Sequence, residues 1–327
     1  MATTLQRIGV LTSGGDAPGM NAAIRAVVRT AVYHGCQVSG IRRGYQGMIE
    51  GNIYELKSTD VAGIINTGGT MLKTARSDAF KTPEGRRKAY ENLRHHGIDG
   101  LILIGGDGTF RGATAFFEEY DIPAIGLPGT IDKDLAGTDA TIGFDTAVNT
   151  AVEAIDRLRD TAQAHNRVFV VEVMGRDAGY IALHSGISCG AEDILIPEEQ
   201  TDVEAVLERI YSDEARHKNV HILVVAEGDD AGGSETIATQ IKAAFPALDV
   251  RTCVLGHIQR GGRPSAADRM LASHLGFAAV EALLSGKAQA MVGLVNQQIQ
   301  FTPFDAVGKT GASMNDDLMR MVRVLAT

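Results

Sequence analysis

Short apolar runs recur along this chain, and most of them end in a glycine-rich segment that precedes a helical pattern. They occupy residues 8–11, 100–104, 122–127, 168–173 and 220–225. Runs of this length are typical of strands buried on both faces, and their alternation with helices predicts a mostly parallel sheet. The chain of 327 residues is therefore expected to form an α/β protein, with enough length for two domains.

Charge and cysteine usage limit the kind of partner and the compartment. The 31 basic and 40 acidic side chains give a net charge of -9, which argues against nucleic acid as the main partner. No apolar run is long enough to cross a membrane, and the first strand follows Met1 too closely for a signal peptide. Cys36, Cys189 and Cys253 lie far apart and form no metal-binding spacing, so we expect reduced, buried thiols in the cytoplasm.

Residues 128–134 read Pro-Gly-Thr-Ile-Asp-Lys-Asp and follow the apolar run 122–127. They are expected at the carboxyl end of a strand, where open α/β sheets bind their ligands. Asp132 could take a proton from a hydroxyl acceptor, Lys133 or a nearby metal could offset phosphate charge, and Gly129 leaves room for close approach. A polar loop with an Asx turn is the alternative interpretation of this segment alone.

Two glycine-rich segments favour phosphate binding. Residues 12–19 join a strand to a helix, whose N-terminal amides attract anions. This segment matches neither the dinucleotide fingerprint nor the P-loop, and a turn that requires glycine would explain it as well. Residues 105–109 read Gly-Gly-Asp-Gly-Thr, in which Asp107 could hold a Mg²⁺ ion that bridges phosphates. The alternative for Asp107 is a helix N-cap.

Basic residues supply candidate anion ligands near these segments. Arg25 and Arg29 are four residues apart and share a helix face, although such a pair most often lies on a solvated face. Arg76 follows two glycines, and a lone loop arginine is also commonly just solvated.

The second half of the chain offers groups that suit a sugar phosphate. Arg176 lies in the loop after the run 168–173, and Glu227 follows the run 220–225, where it could accept hydrogen bonds from sugar hydroxyls. Arg251, His257 and Arg260 surround a glycine-rich segment, a combination that suits a phosphate monoester. A structural histidine and an exposed strand-end glutamate are the alternatives for His257 and Glu227.

Together these segments resemble the phosphofructokinase family, in particular its bacterial ATP-dependent members. The matching segments follow the family's order over nearly the whole chain: residues 12–19, 74–76, 105–109, 128–134, 174–176 and 256–262. The resemblance implies two similar Rossmann-like domains with mostly parallel sheets flanked by helices. Residues 1–142 plus 256–306 would bind ATP, and residues 143–255 plus 307–327 would bind fructose 6-phosphate, across the cleft between the domains.

The resemblance also implies an Mg²⁺-dependent kinase that transfers the γ-phosphoryl group of ATP to the 1-hydroxyl of fructose 6-phosphate. The expected ATP ligands are Gly15, Arg76, Ser77, Gly106, Asp107, Gly108 and Thr109, with Asp107 also on the metal. The expected catalytic residues are Asp132, as the base, with Thr130, Asp134 and Arg176. The expected sugar-phosphate ligands are Thr130, Asp132, Arg167, Met174, Gly175, Arg176, Glu227, Arg251, His257 and Arg260.

Two further features of the family involve a neighbouring subunit. Arg167 and Arg251 match positions that the family supplies in trans, which implies an oligomer, usually a homotetramer. The family binds ADP or phosphoenolpyruvate as an effector, and the matching positions are Arg25, Arg29, Arg159, Glu192, Arg216 and Lys218. Ser58, next to Lys57, stands where well-studied bacterial members have an arginine.

Two glycines indicate the phosphoryl donor. Pyrophosphate-dependent relatives carry aspartate in place of Gly108 and lysine in place of Gly129, where side chains would crowd the nucleotide's α-phosphate, so we expect ATP. Lys133 departs from the family, which usually has asparagine there, and could lower the basicity of Asp132 or help neutralise phosphate.

Three alternative functions remain open from the sequence. The first is the pyrophosphate-dependent reaction. The second is an inactive nucleotide-binding regulatory subunit, although such a chain would be free to lose Asp107, Asp132 and Arg176. The third is an NAD-kinase-like enzyme, which rests on residues 105–109 alone, a segment that NAD and lipid kinases share, and leaves residues 256–262 unexplained.

Overall fold

A computed structural model of the chain describes residues 5–165, 167–215, 220–309 and 316–325. The chain divides into two compact units. Unit 1 is built from Met1–Ile131, Leu135–Thr146 and Arg260–Thr310, and unit 2 from Asp132–Asp134, Ala147–Gln259 and Gly311–Thr327.

The division differs in detail from the boundaries expected from the sequence. The junctions after residues 146, 259 and 310 each lie four residues beyond the expected ones, after 142, 255 and 306. Residues 132–134 also belong to unit 2, in which Nζ of Lys133 lies over the ring of Tyr180.

Twelve strands are assigned within the described residues. In chain order they are β1 (Arg7–Thr12), β2 (Gln37–Ile41), β3 (Ile53–Leu56), β4 (Gly100–Gly105), β5 (Ala124–Thr130), β6 (Ile142–Gly143), β7 (Arg167–Val173), β8 (Asp193–Leu195), β9 (His221–Ala226), β10 (Asp249–Val254), β11 (Ala290–Val295) and β12 (Gln298–Pro303).

In the part of the chain that the structure describes, ten α-helices connect and cover these strands. They are α1 (Met20–Tyr33), α2 (Gly44–Glu50), α3 (Pro83–His95), α4 (Asp107–Phe117), α5 (Phe144–His165), α6 (Tyr180–Cys189), α7 (Val203–Ala215), α8 (Ser234–Ala244), α9 (Ala266–Leu284) and α10 (Asp316–Leu325). Among the described helices, none combines the length and the apolar character that crossing a bilayer requires.

The sheet of unit 1 has the order β12-β11-β5-β4-β1-β2-β3, with β6 paired to β5. Its central strands are parallel, whereas β3 and β12 run antiparallel at the two edges. The strands β1, β4 and β5 are neighbours, so their carboxyl ends lie side by side at one edge of this sheet. That edge carries the loops in which the sequence analysis places the nucleotide ligands.

The sheet of unit 2 has the order β10-β7-β9-β8, and all its strands are parallel. Here β10, β7 and β9 are neighbours, so the segments that follow them also start at one edge. These are the segments that contain Arg176, Glu227 and His257. The expected α/β fold with mostly parallel, helix-flanked sheets is confirmed.

Each unit has its own apolar core, as expected for sheets with helices on their faces. In unit 1, buried side chains of β4 and α4 pack with aromatic rings such as those of Tyr45 and Phe80, which stack with centroids 3.9 Å apart. In unit 2, the valines and leucines of β7 and β9 pack against α7 and α8.

Two local predictions were wrong. The sequence Gly44-Tyr45-Gln46-Gly47 predicts a turn, because glycines are typical of turns. These residues instead begin the helix α2, and its N-cap Arg43 has a left-handed backbone with φ 63°. Strand β5 runs three residues beyond the apolar run and includes Pro128, Gly129 and Thr130, because its parallel pairings continue to Gly105 and Gly143. The loop with the two aspartates therefore starts only after Thr130.

Candidate active site

The glycine segment after β1 wraps closely around the guanidinium of Arg260. An ideal Cβ at Gly15 would lie 2.7 Å from Nη1 of Arg260, a distance that real Cβ atoms do not show. The same Nη1 donates a hydrogen bond to the carbonyl of Asp16 at 3.2 Å. A side chain at position 15 would therefore displace the Arg260 guanidinium from this place. Arg260, expected among the sugar-phosphate ligands, lies in unit 1 against the loop expected to bind ATP.

The loop after β4 leads directly into α4 and presents Asp107 at the first turn of that helix. The N-cap is Gly106, so the N-cap interpretation of Asp107 was wrong. The carboxylate of Asp107 lies 2.7 Å from Nη2 of Arg111, one turn later, and its side chain is 12% exposed. A carboxylate at this position is stabilised by the positive end of the helix dipole.

Thr109 joins the two glycine loops of unit 1. Its hydroxyl donates to the carbonyl of Ser13 at 3.2 Å, and its own carbonyl accepts a hydrogen bond from the Tyr45 hydroxyl at 2.6 Å. Thr109 is buried, and a Cβ at Gly105 would meet both the Thr109 hydroxyl and the Ser13 carbonyl. These contacts hold the loops after β1 and β4 together.

The segment with Arg76 and Ser77 is attached to the same loops. The Thr74 hydroxyl donates to the carbonyl of Gly14 at 2.5 Å, and the Ser77 hydroxyl donates to Oε1 of Gln46 at 2.8 Å. Arg76 between them is exposed. The structure thus brings the segments of Gly15, Arg76, Ser77, Gly106, Asp107, Gly108 and Thr109 to one region of unit 1.

The two glycines used to infer the phosphoryl donor have different surroundings. A Cβ at Gly108 would meet no atom within 4 Å, so this position borders open space. A Cβ at Gly129 would lie 3.0 Å from Cγ2 of Ile104 and 3.1 Å from Cε of Met20, both in the core. A side chain at 129 would therefore press first on the core, and the steric argument for a nucleotide rests on Gly108.

The end of β5 places Thr130 beside the loop after β4. An ideal Cβ at Gly106 would lie 3.7 Å from the Cβ of Thr130. Beyond the strand, Asp132 and Asp134 are each 7% exposed, which is unusual for carboxylates, and Lys133 between them has a left-handed backbone with φ 56°. Buried carboxylates next to a strand end are candidates for acid–base chemistry.

In unit 2, the loop after β7 is held in an unusual backbone conformation. Gly175 has φ 148° and Arg176 has φ 57°, a region that non-glycine residues seldom adopt. The Arg176 backbone N–H donates to Oε1 of Glu227 at 2.8 Å, and the Met174 N–H donates to Oε1 of Gln259 at 3.4 Å. A Cβ at Gly228 would lie 2.0 Å from the Arg176 carbonyl oxygen. The segments that follow β7, β9 and β10 are therefore in direct contact with one another.

The segment after β10 is a short 3₁₀ helix, Gly256–Arg260. Gln259 is fully buried and donates to the carbonyl of Gly256 at 3.1 Å, whereas His257 is exposed. Gln259 was missed by the sequence analysis, because a glutamine between an apolar and a basic residue carries no signal of burial.

Arg167 and Arg251 are organised by one carboxylate that the sequence analysis also missed. Nε of Arg167 donates to Oδ2 of Asp249 at 2.7 Å, and Nε of Arg251 lies 2.8 Å from Oδ1 of the same residue. The hydrogen bond from Arg167, reinforced by Arg251, lowers the pKa of Asp249. Register in the sheet explains the cluster, since Asp249 pairs directly with Arg167.

The positions expected to bind an effector lie in both units. Arg25 and Arg29 lie one turn apart on α1 in unit 1. In unit 2, Nη2 of Arg159 donates to the carbonyls of Cys189 and Gly190 at 2.8 Å, and its Nη1 lies 3.7 Å from Oε1 of Glu192. Arg216 and Lys218 lie outside the described residues.

Asp107 fits a magnesium ion shared with substrate phosphates. Such ions are usually held by one or two carboxylates plus phosphate oxygens and water. Asp107 offers one carboxylate at a helix N-terminus, next to the open space at Gly108. Within residues 5–165, 167–215, 220–309 and 316–325, no three His, Cys, Asp or Glu side chains gather into a site made by protein alone.

Comparison with known proteins identifies the family of this fold and site. The profile described as Phosphofructokinase matches residues 7–283. The chain belongs to the phosphofructokinase family. It is 55% identical to an ATP-dependent 6-phosphofructokinase from Cytophaga hutchinsonii, with 98% of each chain covered. It is 56% identical to ATP-dependent 6-phosphofructokinase 1 from Thermus thermophilus, with 98% of this chain and 100% of that one covered.

Solved phosphofructokinase structures share the fold. The Saccharomyces cerevisiae enzyme superposes with a TM-score of 0.86 at 35% identity over 98% of this chain, which corresponds to 46% of the longer yeast chain. A pyrophosphate-dependent phosphofructokinase from Marinobacter aquaeolei superposes with a TM-score of 0.85 at 25% identity, covering 99% of this chain and 92% of that one. Because a pyrophosphate-dependent enzyme shares the fold, the fold by itself does not identify the donor, which must be argued from the site and from sequence identity.

Proposed function

We propose that the chain is a kinase that transfers the γ-phosphoryl group of ATP to the 1-hydroxyl of D-fructose 6-phosphate, giving fructose 1,6-bisphosphate and ADP. The observation that carries this proposal is the 55–56% identity, over almost the full length, to relatives named as ATP-dependent 6-phosphofructokinases. The proposal is supported by two sets of adjacent strand ends, which carry the side chains proposed to bind the nucleotide and the sugar phosphate.

Unit 1 contains the proposed nucleotide ligands. The glycine backbone around Gly15 and Gly106 and the N-terminus of α4 offer N–H donors for phosphate oxygens, and Arg76 adds a positive charge. The proposed ATP-binding domain is residues 1–142 plus 256–306, and the proposed fructose 6-phosphate-binding domain is residues 143–255 plus 307–327. Bound Mg²⁺, held by Asp107 and phosphate oxygens, would neutralise charge on the transferred group.

Asp132 is the proposed general base, which accepts the proton of the sugar's 1-hydroxyl as the oxygen attacks phosphorus. Thr130 and Asp134 flank it and fix its position, and Arg176 offsets the negative charge that spreads over the transferred phosphoryl oxygens. Phosphoryl transfer depends mainly on positioning and charge neutralisation, and the buried loop of Asp132 and the constrained loop of Arg176 suit both tasks.

The sugar phosphate is assigned to Met174, Gly175, Arg176, Glu227, His257 and Arg260, with Arg167 and Arg251 contributed by a neighbouring subunit. Support for the last two comes from their clustering on Asp249, since a shared carboxylate holds two cations together for one phosphate monoester. A homotetramer in the cytoplasm is the proposed form of the enzyme.

ADP or phosphoenolpyruvate is the proposed effector, with Arg25, Arg29, Arg159 and Glu192 among its ligands. The anchoring of Arg159 to the end of α6 supports this, because it fixes a cation that is close to Glu192. Loss of effector response in Arg25→Ala, with substrate turnover retained, is the expected result, and an unchanged response would reject this pocket.

The proposed reaction is tested by a coupled assay with fructose 6-phosphate and Mg²⁺, run in parallel with ATP and with pyrophosphate. Turnover with ATP alone is expected. Turnover with pyrophosphate alone would support fructose 6-phosphate as the acceptor but would reject ATP as the phosphoryl donor. If neither donor supported turnover, the kinase proposal would fail and the regulatory-subunit alternative would be favoured.

A further inference from the structure

Lys133 is the residue at which the catalytic segment departs from the family pattern, and the structure shows where its charge lies. Its Nζ is positioned over the ring of Tyr180, 5.4 Å from the ring centroid. This is within the distance at which an ammonium group is attracted to the face of an aromatic ring. Both residues belong to unit 2.

His184, on the same helix as Tyr180, also lies within the electrostatic influence of Lys133. Burial lowers the pKa of His184, and Lys133 lowers it further through its positive charge. Tyr180 and His184 lie four residues apart and hence on the same face of the helix. Lys133 therefore faces the first two turns of α6.

The first turn of α6 is also the end of the Arg176 loop. Gly179 is the N-cap of the helix, and only two residues separate it from Arg176. The Gly179 N–H donates to both carboxylate oxygens of Glu198, at 2.8 and 3.1 Å, which fixes the start of the helix. Tyr180, which Lys133 contacts, is thus joined to Arg176 by a short and restrained stretch of backbone.

We propose that the Lys133–Tyr180 contact positions the loop of the general base relative to the loop of Arg176. Lys133 acts in this proposal as a positioning residue that is anchored on an aromatic ring, and not as a phosphate ligand. The inference rests on the proposed function, because it assigns Asp132 and Arg176 the roles given above.

The test compares two variants that each remove one partner. Lys133→Met keeps the length of the side chain and removes its charge, and Tyr180→Leu removes the ring. Each is expected to lower kcat/KM for fructose 6-phosphate by about two- to thirtyfold, the range that corresponds to a cation–π contact. The KM for ATP should stay within about twofold of its wild-type value, because the effect concerns the sugar side.

The double variant separates positioning from two independent roles. If the two residues act through one contact, the double variant Lys133→Met plus Tyr180→Leu should lose no more kcat/KM than the more impaired of the two single variants. If Lys133 binds phosphate directly, Lys133→Met alone would impair the enzyme and Tyr180→Leu would not, which would overturn the proposal. Multiplying effects in the double variant would also overturn it.

Control variants guard against general damage. Tyr180→Phe and Lys133→Arg retain the ring and the cation and should recover most of the loss. Tyr211→Leu and Lys242→Met change the same residue types at exposed positions of α7 and α8 and should leave kinetics unchanged. Fluorinated phenylalanines at position 180 keep the shape of the ring while weakening its attraction for a cation, and kcat/KM should fall with each added fluorine.

The outcomes distinguish the inference from the proposed function. Absence of wild-type turnover with ATP and fructose 6-phosphate would reject the function itself. Normal wild-type turnover, combined with no effect of Lys133→Met or no response to ring fluorination, would reject only the positioning role.

Discussion

Asp132 is a carboxyl that the fold keeps almost entirely from solvent, with 7% of the residue exposed. It follows the end of β5 by two residues, so the strand fixes the direction in which the loop leaves the sheet. A carboxylate held this way would lose little freedom when a substrate binds, which suits the proposed role of Asp132 as a general base.

Replacing Asp132 by serine is expected to lower kcat by about 10²–10⁴-fold, because the acceptor of the sugar's proton is lost. Binding of fructose 6-phosphate, measured by equilibrium titration, should remain close to that of the wild type. Asp121→Ser, at the exposed residue near the other end of β5, is the matched control and should turn over normally. Wild-type-like turnover in Asp132→Ser would contradict the assignment of the base.

We expect Gly108 to control the choice of donor, since of the two glycines used to infer the donor only this one borders open space. Gly108→Asp should reduce kcat/KM for ATP by about tenfold or more, because a carboxylate would face the polyphosphate as a like charge. Gly308→Asp adds the same charge at an exposed position with open surroundings and should have no such effect. Unchanged ATP kinetics in Gly108→Asp would show that the donor is selected elsewhere.

At the scale of secondary-structure elements, Asp268 joins the starts of two helices to a strand. Its carboxylate accepts hydrogen bonds from the backbone N–H groups of Gly143 and Thr146, both at 2.8 Å, and from the Thr146 hydroxyl. The Thr146 hydroxyl in turn accepts from the Ser265 N–H at 2.9 Å, directly before α9. Burial raises the pKa of Asp268, although the hydrogen bonds from Thr146 and Gly143 oppose this shift.

Asp268→Ala should therefore destabilise the protein without touching any proposed ligand. The free energy of unfolding is expected to fall by about 3 kcal/mol, because buried backbone donors lose their acceptor. Denaturant titration followed by circular dichroism measures this change, and Asp305→Ala at an exposed position serves as the control. A loss of well under 1 kcal/mol (about the effect of a surface substitution) would show that water replaces the carboxylate.

At the scale of the whole molecule, the proposed site uses residues of two subunits. Arg251 lies on the edge strand β10 and Arg167 on its neighbour β7, and both contact Asp249. The Arg251 side chain is 57% exposed. An edge strand that displays a preorganised cation pair is suited to contact a ligand held by another copy of the chain.

Hybrid oligomers test this sharing. Asp132→Ser and Arg251→Ser chains are mixed, unfolded and refolded together, and assayed at a fructose 6-phosphate concentration at which each variant alone is inactive. Random assortment over paired subunits should restore about a quarter of wild-type activity, because half of the pairs are mixed and each mixed pair has one intact site. A mixture of Asp132→Ser and Asp107→Ala chains should recover no activity, because both residues act in the site of their own chain and every site then keeps one defect. Failure of the first mixture despite proven exchange of subunits would place Arg251 in the site of its own chain.

Much of the fold could be predicted from the sequence because it depends on local patterns. The apolar runs 100–104, 168–173 and 220–225 identified β4, β7 and β9. The extension of β5 to Thr130 could not be predicted, because its final pairings depend on β4 and on β6, a strand of two residues without a sequence signal.

The sequence by itself determined which residues follow a buried strand, and those residues include most of the proposed ligands and catalytic groups. Only the tertiary structure decided which strand ends are neighbours, because strand order depends on crossovers between distant segments. It placed β5, β4 and β1 side by side, and likewise β10, β7 and β9. The same long-range packing selected Gln259, Asp249 and Tyr180 as supports for the site. These residue types are common at exposed positions, so their role becomes visible only when β10 pairs with β7 and α6 packs against Lys133.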